Sequence, residues 1–168
     1  MTTFAKLGTT PANWSFMTGH PARLVALSFG LGLIPLAPGT FGALLAFPLF
    51  WALAPSLTPW TFLGLWLALA MVGVAACERT GRDLGAPDHP AMVWDETVAF
   101  LLVLFFTPDE PRWQAWAFMA FRFMDIVKPP PIRALERRLG GGLGVMADDL
   151  LAAFYALLPL AAWKTWVM

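Results

Sequence analysis

Apolar residues run through this chain in long stretches, and the polar positions that separate them fall at a few sharply bounded places. Trp60–Ala76 is apolar for about the 17–25 residues that a helix needs to cross a bilayer. Leu24–Ala54 is longer, but PLAPGTFG at Pro35–Gly42 interrupts it with two prolines and two glycines. The pattern predicts an interfacial or re-entrant helix over Leu24–Ile34, a turn, and a helix from about Phe41 to Leu53. Val93–Phe106 and Trp113–Phe123 read as short crossings, parted by the turn TPDEPR. Val145–Trp163 is the last predicted span, with Trp163 and Trp166 as interface anchors. The fold class expected is all-α: a polytopic membrane bundle of about four to five short spans with a re-entrant or interfacial N-terminal helix.

Composition agrees. Of 168 residues 58% are hydrophobic and 13% charged, and mean hydropathy is +0.64, whereas soluble domains run about 25% charged. No linker, low-complexity tract or repeat of roughly 20–50 residues divides the chain, so one membrane-embedded domain over 1–168 is expected, with 1–23 as an N-terminal cytoplasmic segment and 24–166 as the helical core. Met1–Arg23 has neither a continuous apolar core nor a small-residue cleavage site, and is expected to be retained. The 11 basic and 11 acidic residues are dispersed and sum to zero charge, which leaves no basic patch for nucleic acid. Cys77 is the only cysteine, excluding a disulfide within the chain and, with only His20 and His89 beside it, a zinc site. It opens CERTGRD, which resembles the phosphate loop of cysteine phosphatases. Those enzymes place arginine six positions after the cysteine, where this chain has Asp83. Cys77 reads instead as a small apolar residue ending a helix.

Four carboxylates interrupt the apolar segments, as Asp95-Glu96 in MVWDETVAFLLVLFF and Asp148-Asp149 in GVMADDLLAAFYALLPLAAW. A charge at membrane depth costs at least ~2.5–3.5 kcal/mol, so such residues line a polar cavity, meet a cation or carry protons. Helix-start acids favoured by the dipole at the water interface are the plainer alternative. Two adjacent pairs suggest a divalent metal, and oxygen ligands without cysteine favour magnesium or manganese. Asp88 lies seven positions before Asp95, on the same azimuth of a continuous helix, and Asp88-His89-Pro90 reads as that helix's start.

FRFMDIVKPPPI spaces Arg122, Asp125 and Lys128 by three residues, within about a third of a helix circumference. Two cations around one acid suit a phosphate, arginine as a fork and lysine as a point charge; a belt of basic residues reaching for headgroups is the competing reading. Pro129–Pro131 stops the helix, after which Arg133, Glu136, Arg137 and Arg138 form a basic amphipathic segment suited to a lipid surface. In LGGGLGVMADD a Gly140–Gly144 loop precedes the paired acids. Such loops cradle phosphate through backbone N–H groups, here only with metal between phosphate and carboxylates. Thr40 in APGTFG either caps the following helix or touches substrate.

Placing the N-terminus, the Glu78–Pro90 loop and the Arg122–Gly142 segment on one side gives that side nine of the eleven Lys and Arg residues; Arg112 and Lys164 lie opposite. The positive-inside rule puts the majority side in the cytoplasm. The same arrangement gathers Thr40, Asp83, Asp88, His89, Asp95, Glu96, Arg122, Asp125, Lys128, Asp148 and Asp149 at a single, cytoplasm-facing site.

Together, APGTFG, D-H-x-x-x-V-W-D-E at Asp88–Glu96, F-R-x-x-D-x-x-K-P-x-P-I at Phe121–Ile132 and GG-x-G-V-M-x-D-D at Gly141–Asp149 resemble the phosphatidylglycerophosphatase A family from about Leu24 to Phe154. Departures are mild: Ala43 where serine is common, Ala99 where glycine is usual, and DDLLAA where D-D-x-x-A-G is typical. The resemblance implies a bacterial inner-membrane, magnesium-dependent lipid phosphatase that converts phosphatidylglycerophosphate into phosphatidylglycerol. It implies polar active-site positions at Asp88, His89, Asp95, Glu96, Arg122, Asp125, Lys128, Asp148 and Asp149.

The expectation is therefore a lipid phosphomonoesterase in which Asp95, Glu96, Asp148 and Asp149 hold Mg2+. Arg122 and Lys128, with Asp125 and Thr40, bind the phosphoryl group. His89 acts as general acid or base unless it merely caps a helix, and Asp88 or Asp95 is the candidate should a phosphoenzyme form. An ion or proton transporter using the same carboxylates is the alternative. It accords less well with acids confined to one face and a chain without internal repeats. A non-catalytic scaffold for anionic lipid would leave the paired acids unexplained.

Overall fold

The structure, a computed structural model, describes residues 11–167, and for Arg133, Ala134, Glu136, Arg137 and residues 163–167 the backbone alone. The cations expected at Lys6 and Lys164, the side chains of Arg133, Glu136 and Arg137, and the anchors Trp163 and Trp166 lie outside what is described. Regular structure among the described residues is helical: α1 (Trp14–Thr18), α2 (Pro21–Ala26), a 3-10 stretch (Ser28–Leu33), α3 (Pro38–Leu53), a 3-10 turn (Ala54–Ser56), α4 (Pro59–Leu84), α5 (Trp94–Phe106), α6 (Pro111–Val127), α7 (Ile132–Leu139) and α8 (Gly141–Val167). Proline occupies the first turn of α2, α3, α4 and α6, where its missing N–H would have lacked a helical partner anyway.

The apolar run of α5 has no polar face beyond its first turn, and a helix apolar all round belongs inside. It is accordingly the central element, packed by α3, α4, α6 and α8. Phe100, fully buried, stacks with Phe121 at 5.5 Å between ring centroids and meets Phe47 and Phe118 edge-on. Apolar side chains on the outer faces of α4, α6 and α8, among them Leu67, Met71, Met119, Phe123, Phe154 and Leu158, are exposed, as in helices that face lipid. Among the described residues three helical segments are long and apolar enough to cross a membrane: Pro38–Ser56, Pro59–Leu84 and Gly141–Ala162. The 13 residues of α5 reach about 20 Å, short of a hydrocarbon core of roughly 30 Å.

Several boundaries differ from the sequence reading, each for a local reason. Leu24–Ile34 is no single helix: α2 ends at Ala26, and Ser28, Phe29 and Gly30 take positive φ. The core starts before residue 24, because Phe16 and Met17 of α1 pack with Ala26, Leu27, Cys77 and Leu84, and Arg23 bonds Asp83 at 2.9 Å. Cys77 is buried and apolar in setting, yet it does not end a helix, since α4 continues to Leu84. Asp88-His89-Pro90 forms a turn and α5 begins at Trp94, so Asp88 does not share a helical azimuth with Asp95.

Candidate active site

Four helix ends meet at one end of the bundle. The first turn of α5 supplies Asp95 and Glu96, the last turns of α6 supply Arg122 and Asp125, α8 supplies Asp148 and Asp149 two turns from its start, and the N-terminus of α3 abuts them. One ligand oxygen each from Asp95, Glu96 and Asp149 lie within 4.8 Å of one another. Asp95 is 6% exposed and Asp149 3%, and Asp95 Oδ1, Glu96 Oε2 and Asp149 Oδ2 are buried with no hydrogen-bond partner. Asp125 lies within hydrogen-bonding reach of Asp149. Like charges this close and this dry repel strongly. Orphaned buried oxygens of hard donor type, converging from two helices, fit a divalent cation such as magnesium or manganese and disfavour zinc or copper.

Cations border the acids. Arg122 Nη1 sits 2.6 Å from Asp125 Oδ2 and 3.7 Å from Glu96 Oε1, while its Nε is buried without a partner. The Lys128 ammonium bonds Asp148, whose Oδ1 accepts the N–H of Asp149 at 3.0 Å. Lys128 is not on the α6 face that its spacing predicted. It is the C-cap, in the left-handed region at φ 46°, and that turn directs its chain to α8 instead of along α6. A non-glycine residue held there stores strain of order 1 kcal/mol or more, a common mark of functional positions.

Small residues bring α3 onto this end. Gly39, Gly42, Ala43 and Ala46 are buried on α3; a Cβ on Gly42 would lie 2.5 Å from Val93 O, and one on Gly39 would lie 2.0 Å from Glu96 Oε1 and 3.1 Å from Arg122 Nη2. The Thr97 hydroxyl, 2.8 Å from the carbonyl of Gly42 and 3.2 Å from Ser28 Oγ, pins α5 to α3 just below the acids.

Thr40 stands next to Gly39 in the first turn of α3, its N–H donating to Ala37 O at 2.9 Å. His89 sits in the turn ahead of α5, where Nδ1 accepts the N–H of Ala91 at 3.1 Å, the capping arrangement. The site therefore brings together Asp95, Glu96, Arg122, Asp125, Lys128, Asp148 and Asp149, with Thr40 alongside and Asp88 and His89 in the turn that leads into it.

The glycine segment corrects the sequence reading most clearly. Gly141 already begins α8, and Glu78 Oε2 accepts the Gly142 N–H at 2.7 Å, so a protein carboxylate meets the helix N-terminus that the sequence reading allowed to phosphate only with metal between. Cβ atoms on Gly141 and Gly142 would meet Glu78 Oε2 at 2.0 Å and Val74 O at 2.1 Å. Those glycines serve close approach of α8 to α4. Sequence reasoning missed Glu78, although CERTGRD carried it, because that motif was weighed only as a cysteine site.

The profile of the family described as Phosphatidylglycerophosphatase A matches residues 24–164. Phosphatidylglycerophosphatase A of Escherichia coli is 42% identical over 135 residues, 79% of this chain and 77% of the relative. The protein of the same name from Haemophilus influenzae is 40% identical over 150 residues, 89% and 92% of the two chains. A Bacteroides thetaiotaomicron protein with a provisional name as a phosphatidylinositol-3-phosphatase is 39% identical over 154 residues, 86% and 94%. No solved structure matches.

Proposed function

The chain belongs to the phosphatidylglycerophosphatase A family and is a phosphatase, and from that premise we propose that it hydrolyses the terminal phosphomonoester of phosphatidylglycerophosphate, with Mg2+, at the cytoplasmic face of a bacterial inner membrane. One observation carries the reading: Asp95, Glu96 and Asp149, buried and with oxygens that lack partners, converge beside Arg122. Asp95, Glu96 and Asp149 would hold the metal, with Asp148 adjoining. When bound, magnesium supplies neutralisation of phosphate charge that three carboxylates would otherwise oppose.

The chain's own groups account for the remaining steps. Arg122, oriented by Asp125, donates from its buried guanidinium to phosphate oxygens as charge builds on them. Lys128, held toward α8 by Asp148, adds a second positive charge on the other flank. Water attacks phosphorus, a carboxylate of the cluster takes its proton, and the P–O bond to the glycerol oxygen breaks. His89 has Nδ1 committed to the Ala91 N–H, which leaves Nε2–H as a hydrogen-bond donor for the departing glycerol oxygen, and the proton that the carboxylate took from water passes to that oxygen. Closure of this end by α3 keeps bulk water from the transferring group.

The carboxylates gather at one end of the bundle instead of through its depth, which favours hydrolysis at a surface over a transport path. Sidedness rests on the nine-to-two distribution of Lys and Arg; crossings by α5 and α6, added to those of the three long apolar helices, would put the nine on one side and Arg112 and Lys164 on the other. The test is phosphate release by purified protein from phosphatidylglycerophosphate in mixed micelles, with magnesium and with excess chelator. Turnover only with magnesium is expected; full activity in chelator would remove the metal from the proposal, and no turnover on this lipid would remove the substrate.

A further inference from the structure

Beside the acidic cluster, on the other side of Pro38–Gly39, is a cleft of about 290 Å³ walled by Gly32, Leu33, Ile34, Pro35 and Pro38 on one bank and by His89, Pro90 and Ala91 on the other, with Ala12 at its edge. Its volume is at the bottom of the roughly 300–1,000 Å³ of small-ligand sites, enough for a headgroup arm and not for a diacyl lipid. The two banks are drawn together by Gly32, where a Cβ would lie 1.9 Å from Ala91 O. The cleft adjoins the site across the start of α3: Pro38 lines the cleft, and at the next residue, Gly39, the helix backbone lies directly against Glu96 and Arg122.

Two features bear on what enters. His89 fixes Nδ1 as an acceptor from Ala91, so its second ring nitrogen carries an N–H, and the wall otherwise mixes prolines and aliphatic side chains. That surface suits an uncharged polyol, whose carbons pack and whose hydroxyls meet one donor. The same loop exposes Leu36 at 78% and Phe29 at 57%. Apolar side chains so bare beside a polar site suit contact with the acyl layer, which sets the cleft at headgroup depth.

We infer that this cleft is the subsite for the leaving alcohol: it takes the glycerol arm that joins the scissile phosphomonoester to the rest of the lipid, and its walls determine which phosphomonoesters are accepted. The inference rests on the phosphatase reading above. Ile34→Trp, which fills the cleft without touching a carboxylate or Arg122, is expected to lower kcat/KM for phosphatidylglycerophosphate by about tenfold or more, while kcat/KM for p-nitrophenyl phosphate changes by less than about twofold. A parallel fall on both substrates, or none on the lipid, overturns it.

A second measurement holds even where the bulky variant folds poorly. Cys77 is fully buried, so in Ile34→Cys the new thiol reports alone to a maleimide. The deacylated headgroup, glycerophosphoglycerol phosphate, is expected to slow labelling several-fold and inorganic phosphate to leave it unchanged. Equal protection by both, or by neither, overturns the subsite. Loss of phosphate release from every ester by the parent protein would instead overturn the phosphatase reading, and so the two failures are separable.

Discussion

A single methyl group on Gly39 would stand 2.0 Å from Oε1 of Glu96 and 3.1 Å from Nη2 of Arg122. The backbone of α3 is thus the lid over the Glu96–Arg122 pair, and no side chain fits between. Gly39→Ala should push the Glu96 carboxylate, a flexible chain end, out of register while the fold survives. Expected is a fall in kcat/KM of about 10²-fold, the scale of an ångström-level misplacement, with stability changed by less than about 1 kcal/mol. Phosphate release and thermal unfolding of the same preparation check both halves.

The acids predict an exchange of stability for function. Asp95, Glu96 and Asp149 repel one another when no cation lies among them, so Asp149→Asn, in chelator, should be more stable than the parent by about 1–2 kcal/mol. It should also be inactive and gain nothing from added magnesium, whereas the parent gains stability as the ion binds the native state. A chelated parent whose unfolding is indifferent to magnesium, with Asp149→Asn less stable than it, would contradict the metal reading. Calorimetry in detergent gives the answer.

Much of this end of the molecule was legible in the sequence because ionised groups in apolar helices are few and each demands a partner. Asp95, Glu96, Asp149 and Arg122 stood out on that ground, and the structure brings them within contact. What was not legible depends on backbone geometry. Lys128 precedes a proline and would by habit be extended, yet it turns left-handed and crosses to Asp148. The start of α5 was misplaced because Pro90 looked like a first-turn proline, while His89 caps a turn that the helix does not continue. Gly141 and Gly142 read as a flexible loop, since nothing local reveals that Val74 and Glu78 press against them from α4.

Glu78 yields a prediction of its own. Its Oε2 holds the N–H of Gly142 while Oε1 accepts from Arg82 Nε at 2.9 Å, and Asp149 follows Gly142 by seven residues, nearly two turns and so on the same side of α8. Glu78→Ala should lower the unfolding temperature as a lost cap and raise the magnesium concentration for half-maximal activity. Glu78→Gln keeps an acceptor for Gly142 and should restore the metal dependence. Equal metal dependence in Ala and Gln variants would reduce Glu78 to packing.

Sidedness can be read by labelling. With Cys77 buried, single cysteines placed at Gly85, Asp109 and Leu139, all exposed positions, should report without interference. Gly85 and Leu139 are expected to react only from the cytoplasm and Asp109 only from the far side. Reaction at Gly85 from outside intact cells would invert the topology and move the site with it.

Binding of phosphate and adhesion to lipid make opposite demands on an arginine, and Arg122 and Arg138 should separate them. Arg122 is 13% exposed in its side chain and sits between Asp125 and Glu96, where solvent ions screen it little. Arg138 is exposed on α7, beyond the Pro129–Pro131 stop, where its pull on anionic headgroups is worth about 1 kcal/mol and fades within a Debye length. Arg122→Ala should therefore depress kcat/KM by on the order of 10²–10³, the scale of one strong electrostatic stabiliser, equally at low and high salt and in neutral detergent. Arg138→Ala should show a several-fold loss on anionic vesicles that disappears in high salt. Were Arg122→Ala to give only a modest, salt-sensitive loss in vesicles and none in neutral detergent, the guanidinium would be answering to headgroups and not to the transferring phosphate, and the pairing of Arg122 with the acidic cluster would be structural.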